Sequence, residues 1–202
     1  IDTEATKLYK MESNYASRRV DVFLGQNACL EMLSKETIAY KKSRWYQRTN
    51  FHVSRESRFL YSDIFCPGRI AMGEFWELEV FASKFSILDE NERGRDSLRI
   101  LTDNVIFKGS DKENVDVIFG GKKFLLSAYW YSGNASEASN SIKERMQDGE
   151  IYGGLSSMPD HKGIVVKALS NDLERLKELQ LSIWSCFRMV EFGTKAPDLR
   201  MY

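Results

Sequence analysis

Hydrophobic positions are densest over residues 59–88, FLYSDIFCPGRIAMGEFWELEVFASKFSIL. Residues 59–65 form one apolar run, rich in the aromatic and β-branched types that suit a pleated sheet. Residues 75–88 form a second. There Phe75, Glu77, Glu79 and Phe81 fall on one parity and Trp76, Leu78 and Val80 on the other. A period of two over that length predicts a strand. The corner between the runs, CPGRIAMGE, holds Pro67, which cannot donate to a ladder, and Gly68 and Gly73, which tolerate positive φ or close backbone approach. It also carries two opposite charges, Arg69 and Glu74. The stretch therefore predicts two strands joined by a shaped bend.

The same reading predicts short strands over residues 20–24, 28–33, 49–53, 97–101, 104–108, 116–119, 123–131 and 163–169. Gly25-Gln26-Asn27, residues 54–57, the charged run 89–95 and Gly120-Gly121 supply turns. Many short strands at near-regular spacing suggest an all-β stack, barrel or solenoid, and no sequence repeat chooses among them. Two helices are expected. Residues 136–148 place Ala138, Ile142 and Met146 on one face, with Ser136 as N-cap and Gly149 as stop. Residues 172–190 follow Ser170-Asn171-Asp172 and put Leu173, Leu176, Ile183, Trp184 and Phe187 on one apolar stripe. The tail, 193–202, is expected to be mobile.

A chain of 202 residues suffices for one domain with a sizeable core. Basic and acidic side chains balance at 29 each, which gives no support for nucleic acid or an acidic membrane surface as the main partner. The three cysteines, Cys29, Cys66 and Cys186, are odd in number and in no CxxC spacing. That favours a reducing cytoplasm over a disulfide framework. No apolar run approaches a membrane span and no signal peptide opens the chain, whose first residue is Ile1. With two histidines, His52 and His161, and no HExxH, Walker loop or GxSxG, the pattern points to a binding or scaffold role rather than catalysis.

Arg69 and Glu74 can clamp the bend as a bidentate pair, or Glu74 can line a polar passage for a divalent metal with Arg69 fixing its orientation. Asp63 and Cys66 can each ligate a borderline metal. They lie three apart, which strand parity does not bring to one face. Their plain alternative is a solvated aspartate and a small buried hydrophobe. Tyr129, Trp130 and Tyr131 could mimic an aromatic platform for polysaccharide.

The segment around the corner resembles the urease accessory protein family UreD, also called UreH. That family carries a hydrophobic strand, a Gly-Arg, a Gly-Glu followed by an aromatic, and a second strand; Gly68-Arg69 and Gly73-Glu74-Phe75 match. Thr3, Ala5, Thr6, Lys7 and Tyr9 are similar to a segment that sits well inside family chains. Glu31 and Leu33 match another, with Ser34 where proline is usual, and Arg44 and Gln47 a third. Strand GIVVKAL and the capped helix after it resemble the family's C-terminal end. The resemblance implies a mainly β fold of helically stacked short strands with two α-helices towards the C-terminus. It implies a single domain over 1–202 that lacks the N-terminal part. It also implies a non-enzymatic, cytoplasmic chaperone that binds apo-urease, UreF and UreG. Nickel would pass in transit with no tightly bound cofactor, and neither nucleic acid nor membrane would be a partner. On that reading Glu74, Asp63 and Cys66 are the metal-transit candidates, Gly68, Arg69 and Gly73 shape the corner, and Trp184, Phe187 and Tyr202 face partners. The alternative is a β-solenoid that binds or cleaves polysaccharide.

Overall fold

Alternation in the central strands sorts their side chains into two interiors. Phe59, Tyr61, Asp63 and Phe65 point to one side of their strand; Leu60, Ile64 and Cys66 pack with a helix on the other. The computed structural model describes residues 2–90, 98–147 and 149–198. Most of the turn expected over 89–95, and Tyr202 at the end of the tail, lie outside the described residues.

Among the described residues eleven strands form two sheets. The larger holds β1 (Asp2–Thr3), β2 (Thr6–Leu8), β4 (Cys29–Ala39), β6 (Arg58–Cys66), β9 (Phe124–Tyr131), β10 (Ile151–Ser157) and β11 (Gly163–Ser170). The smaller holds β3 (Ala16–Leu24), β5 (Arg44–Val53), β7 (Val80–Asp89) and β8 (Leu98–Lys108), in the order β3-β5-β7-β8. From β3 to β7 the chain alternates between sheets, and like strands stack in parallel. This is a helical stack of two-strand coils. Ala16 pairs with Trp45 and Cys29 with Arg58, an offset of 29 residues in each sheet. The repeat is therefore spatial and has no counterpart in residue identity. In the next coil Arg44 pairs with Val80, an offset of 36, because the 67–79 corner is inserted there. The stack then reverses: β8 returns antiparallel to β7, and β9, β11 and β10 extend the large sheet antiparallel from β6.

The fold is mainly β, as expected, but the strands are long. β4 runs 11 residues and β8 absorbs two expected short strands into one of 11. β10 had no strand signal, being glycine- and serine-rich; among the described residues it is an edge strand paired only to β11. Gly153 is required there, since a Cβ would stand 2.4 Å from the Lys167 carbonyl oxygen. The strand expected over 116–119 is instead one helical turn, α1 (Val115–Ile118), whose Val115 and its neighbour Phe119 reach the core while Val117 and Ile118 stay exposed. The strand expected from Phe75 starts only at Val80.

The expected helix over 136–148 is a short 3-10 turn, Ala135–Ala138, followed by α2 (Ser139–Arg145). Ser136 does not cap it, yet Ala138, Ile142 and Met146 are all buried as the spacing required. The long helix is α3 (Leu173–Phe192). Asp172 accepts the Glu174 N–H at 2.9 Å, and Gly193, left-handed at φ 67°, donates to the Met189 carbonyl at 3.0 Å. Both ends thus satisfy backbone groups the helix cannot satisfy itself. Its stripe of Leu176, Leu179, Ile183, Trp184 and Phe187 packs on the outer face of β6, β9 and β11. Gln180 crosses that layer to donate to the Ser34 carbonyl at 3.0 Å and the Ser62 hydroxyl at 2.8 Å, which accounts for a buried polar residue in the stripe. Burial at roughly 1.5–3 kcal/mol per large apolar side chain makes this the main tie between helix and sheet.

Candidate functional site

The corner after β6 is built around one inserted side chain. Trp76 has φ 55°, a conformation that turns it out of the expected strand parity. Its ring is buried among Phe65, Phe107 and Phe119, and its Nε1 donates to the Lys108 carbonyl at 2.9 Å. The Trp76 N–H donates to the Pro67 carbonyl at 2.8 Å and closes the loop. Gly68 has φ 142°, and a Cβ on it would lie 2.5 Å from the Glu74 carbonyl oxygen. Gly73, at φ 78°, ends a turn of 3-10 helix over Ile70–Met72. The two glycines are demanded by backbone geometry.

Arg69 and Glu74 meet as a bidentate pair, with Nε to Oε2 at 2.9 Å and a second, shorter bond from Nη2 to Oε1. The guanidinium also stacks on Tyr40, 4.5 Å from the ring centroid, and Tyr40 meets Tyr9 edge-on at 5.3 Å. The Arg69 hydrogen bond holds the Glu74 carboxyl below the ordinary glutamate value. Both oxygens of Glu74 are thus engaged, and Glu74 does not line the cavity between the sheets. The geometry is that of a clamp on the bend.

The interior between the sheets is polar across its middle. Aromatic layers lie on either side: Phe65, Trp76, Phe81 and Phe107 towards the corner, Phe51, Phe59, Phe85 and Tyr131 at the other end. Between them the small sheet contributes Arg18, Gln47 and Ser83 from one register row, and Thr49 and Asp103 from the next. The large sheet contributes Asp63, Ser127 and Lys167, which are direct cross-strand neighbours, with Tyr61 and Tyr129 beside them. This polar stratum runs across the strands, along the axis of the stack, from edge strand β3 to β8 and β11. It encloses a narrow cavity, about 30 Å³ open to the centres of water-sized spheres. That is room for roughly two waters.

Asp63 faces this cavity, which leaves it some accessible surface although protein surrounds it. Thr37 Oγ1 donates to it at 3.2 Å. Burial outweighs the help of Arg18, Thr37 and Lys167, so its carboxyl is pushed above the ordinary aspartate value. Arg18 Nη2 donates to Gln47 Oε1 at 3.0 Å, while its buried Nε has no partner among the described residues. At the far side Asp103 accepts from Tyr129 and from Lys167. Burial there acts upward, yet Lys167 and Tyr129 together outweigh it and keep the Asp103 carboxyl below the ordinary value. One stratum therefore holds two carboxylates pushed in opposite directions.

Cys66, three residues after Asp63, points the opposite way, into the layer beneath α3. Burial, then Glu36 and Asp63, push its thiol upward. The Cys66 and Asp63 side chains leave β6 on opposite faces, so the structure separates the two. Trp184 and Phe187 are buried beneath α3, 5% and 0% exposed, which corrects their placement on a partner-facing surface; Leu181, Met189 and Phe192 are the exposed apolar residues of that helix. Trp184 Nε1 and Arg188 both donate to Glu31. Tyr129, Trp130 and Tyr131 are all buried, so they form no platform for a sugar. The residues missed from sequence are Asp103, Lys167 and Arg18. The only available signal was a charged residue at an inward parity of a strand whose neighbours are apolar. Among the described residues no three of His, Cys, Asp and Glu come together in a way that could hold a metal ion. No helix there is long and apolar enough to cross a membrane.

Comparison with known proteins gives this architecture its place. A family model described as the UreD urease accessory protein matches residues 3–202. The chain is similar to the urease accessory protein UreD of Cenarchaeum symbiosum, 27% identical over 202 residues, covering 97% of this chain and 68% of that protein. It is 28% identical to UreD of Sporosarcina pasteurii over 189 residues, covering 93% and 72%. To the urease accessory protein UreH of Helicobacter hepaticus it is 24% identical over 181 residues, covering 89% and 68%. The match runs through the corner, both sheets and the capped helix, and on that basis the chain belongs to the UreD family of urease accessory proteins, a family of helpers and not of catalysts.

Proposed function

We propose that this chain acts in urease maturation, binding apo-urease together with UreF and UreG, and that nickel crosses it along the polar stratum between its sheets. The observation that carries the reading is the inward-facing Asp63 in a narrow, polar-lined cavity, inside a chain of an accessory family. An ion in transit needs ligands strong enough to admit it and weak enough to release it. Scattered carboxylates, hydroxyls and phenols meet that need, whereas a His/Cys cage would retain a borderline metal. Here Asp63 and Asp103 supply charge, Thr49, Ser83, Ser127, Tyr61 and Tyr129 supply neutral oxygens, and the aromatic layers wall the stratum off. The Arg69–Glu74 clamp has a supporting part: it fixes the bend that seats Trp76 at one wall. The named partners rest on the family alone.

The test is co-expression of the chain with a urease gene cluster lacking its own protein of this kind. Asp63→Asn is expected to lower urease activity and nickel per urease active site, while capture of UreF by the tagged chain is unchanged. Full activation with Asp63→Asn and with Asp103→Asn would remove the stratum from the mechanism.

A further inference from the structure

Lys167, like Arg18 at the opposite edge, works against a cation in the stratum. It lies on β11 at the inward parity, beside Ser127 in register. Its ammonium donates to Ser127 Oγ at 2.9 Å, to Tyr129 OH at 3.0 Å and to the Asp103 carboxylate. An ammonium has three N–H donors, and each has a partner. The pair stands at the rim, with Lys167 35% and Asp103 23% exposed at their side chains. We propose that Lys167 is a tethered cation that occupies, on Asp103, the place a divalent ion takes on entering or leaving the stratum, and so acts as its gate on the β8/β11 side. This rests on the nickel reading above.

The chemistry of the two cations in the stratum differs. Arg18, at the opposite edge, is planar and tied to Gln47. Lysine is a compact charge on a flexible four-carbon stem with rotatable donors. From the rim it can swing into water without disturbing either sheet. Its departure uncovers one carboxylate, a phenol and a hydroxyl, all oxygen, which suit a weakly held divalent ion with water completing its shell. With Lys167 in place the same oxygens are engaged, and a monovalent ion gains too little to displace it. A dication brings twice the charge to the same carboxylate. The gate thus favours divalent over monovalent traffic and keeps resting occupancy low.

A neighbouring cation lowers a carboxylate's affinity for a proton by about ten- to a thousandfold. Its affinity for any other cation falls for the same reason. Removing the charge should therefore tighten binding by at least about tenfold. The measurement is equilibrium dialysis of the full chain against nickel ion alone, in parallel with urease activation during co-expression. Lys167→Met is expected to bind nickel at least ~10-fold more tightly than the parent and to retain metal on dilution. Lys167→Arg should bind like the parent, and adding Asp103→Asn to Lys167→Met should abolish the gain. Lys167→Gln, neutral but able to bond Ser127 and Tyr129, serves if the methionine variant does not fold. Unchanged or weaker binding in the neutral variants overturns the gate. If Asp63→Asn still lowers activation in that case, the transit reading survives; if it too has no effect, both fall.

Discussion

Replacing Asp63 by asparagine should stabilise the protein while impairing it. In the folded chain burial raises the Asp63 carboxyl above its ordinary value, more than Arg18, Thr37 and Lys167 lower it. The fold therefore prefers the neutral form. By linkage, that preference contributes fully below the ordinary aspartate value of the unfolded chain and is lost as pH rises through the raised folded value. At neutral pH the carboxylate is a net cost. Asparagine removes the charge yet keeps an oxygen to accept from Thr37, now 3.2 Å away. The gain should be on the order of 1 kcal/mol, typical of a stabilising single change, and should appear as a rise in Tm of about 2–4 °C for a chain of this size. Thermal melts of parent and variant at pH 7 and near pH 4 measure it: the difference should be clear at the higher pH and shrink towards the lower. A fall in Tm at pH 7 would refute the reasoning, because it would show that Arg18 and Lys167 stabilise the charge by more than burial penalises it. A stability gain joined to a loss of urease activation marks a residue retained for function at the expense of the fold.

Other consequences can be checked by the same melts. Trp76→Ala, which empties a site 1% exposed, should cost about 3–5 kcal/mol, whereas Trp76→Phe should lose roughly 1 kcal/mol more than its volume change requires, for the Lys108 carbonyl left unpaired. Gly68→Ala should destabilise clearly, because its Cβ meets the Glu74 carbonyl oxygen at 2.5 Å in a backbone conformation that suits glycine. Phe187→Ala, fully buried against Trp130 at 5.3 Å, should cost about 3–5 kcal/mol and loosen α3, seen as faster amide exchange along that helix. Wild-type melting in either of the last two would contradict the packing described.

Much of this protein is legible along the chain. Apolar runs rich in aromatic and β-branched residues place β6, β9 and β11, and Asp172 marks the start of α3 because backbone groups at helix ends need partners wherever the helix lies. The glycines and opposed charges of the corner announce a shaped, clamped bend. Local rules fail where a distant contact outweighs them. Trp76 breaks the alternation of residues 75–79 because burying its ring among Phe65, Phe107 and Phe119 offsets an unfavourable φ. Residues 115–118 turn helical because Val115 and Phe119 both reach the core that way.

Parity can state that Asp63, Asp103 and Lys167 each leave their strand on a given side, but not that they share an interior. That sharing depends on the 29-residue offset of the first coil, on the corner inserted between β6 and β7 that lengthens the next, and on the antiparallel return that carries β8, β9 and β11 back across the opening. A strand pattern is set by neighbours one or two residues away, and so it belongs to the chain. The meeting of two carboxylates and two cations across a sandwich is set by register summed over the whole stack, and it exists only once the stack is closed.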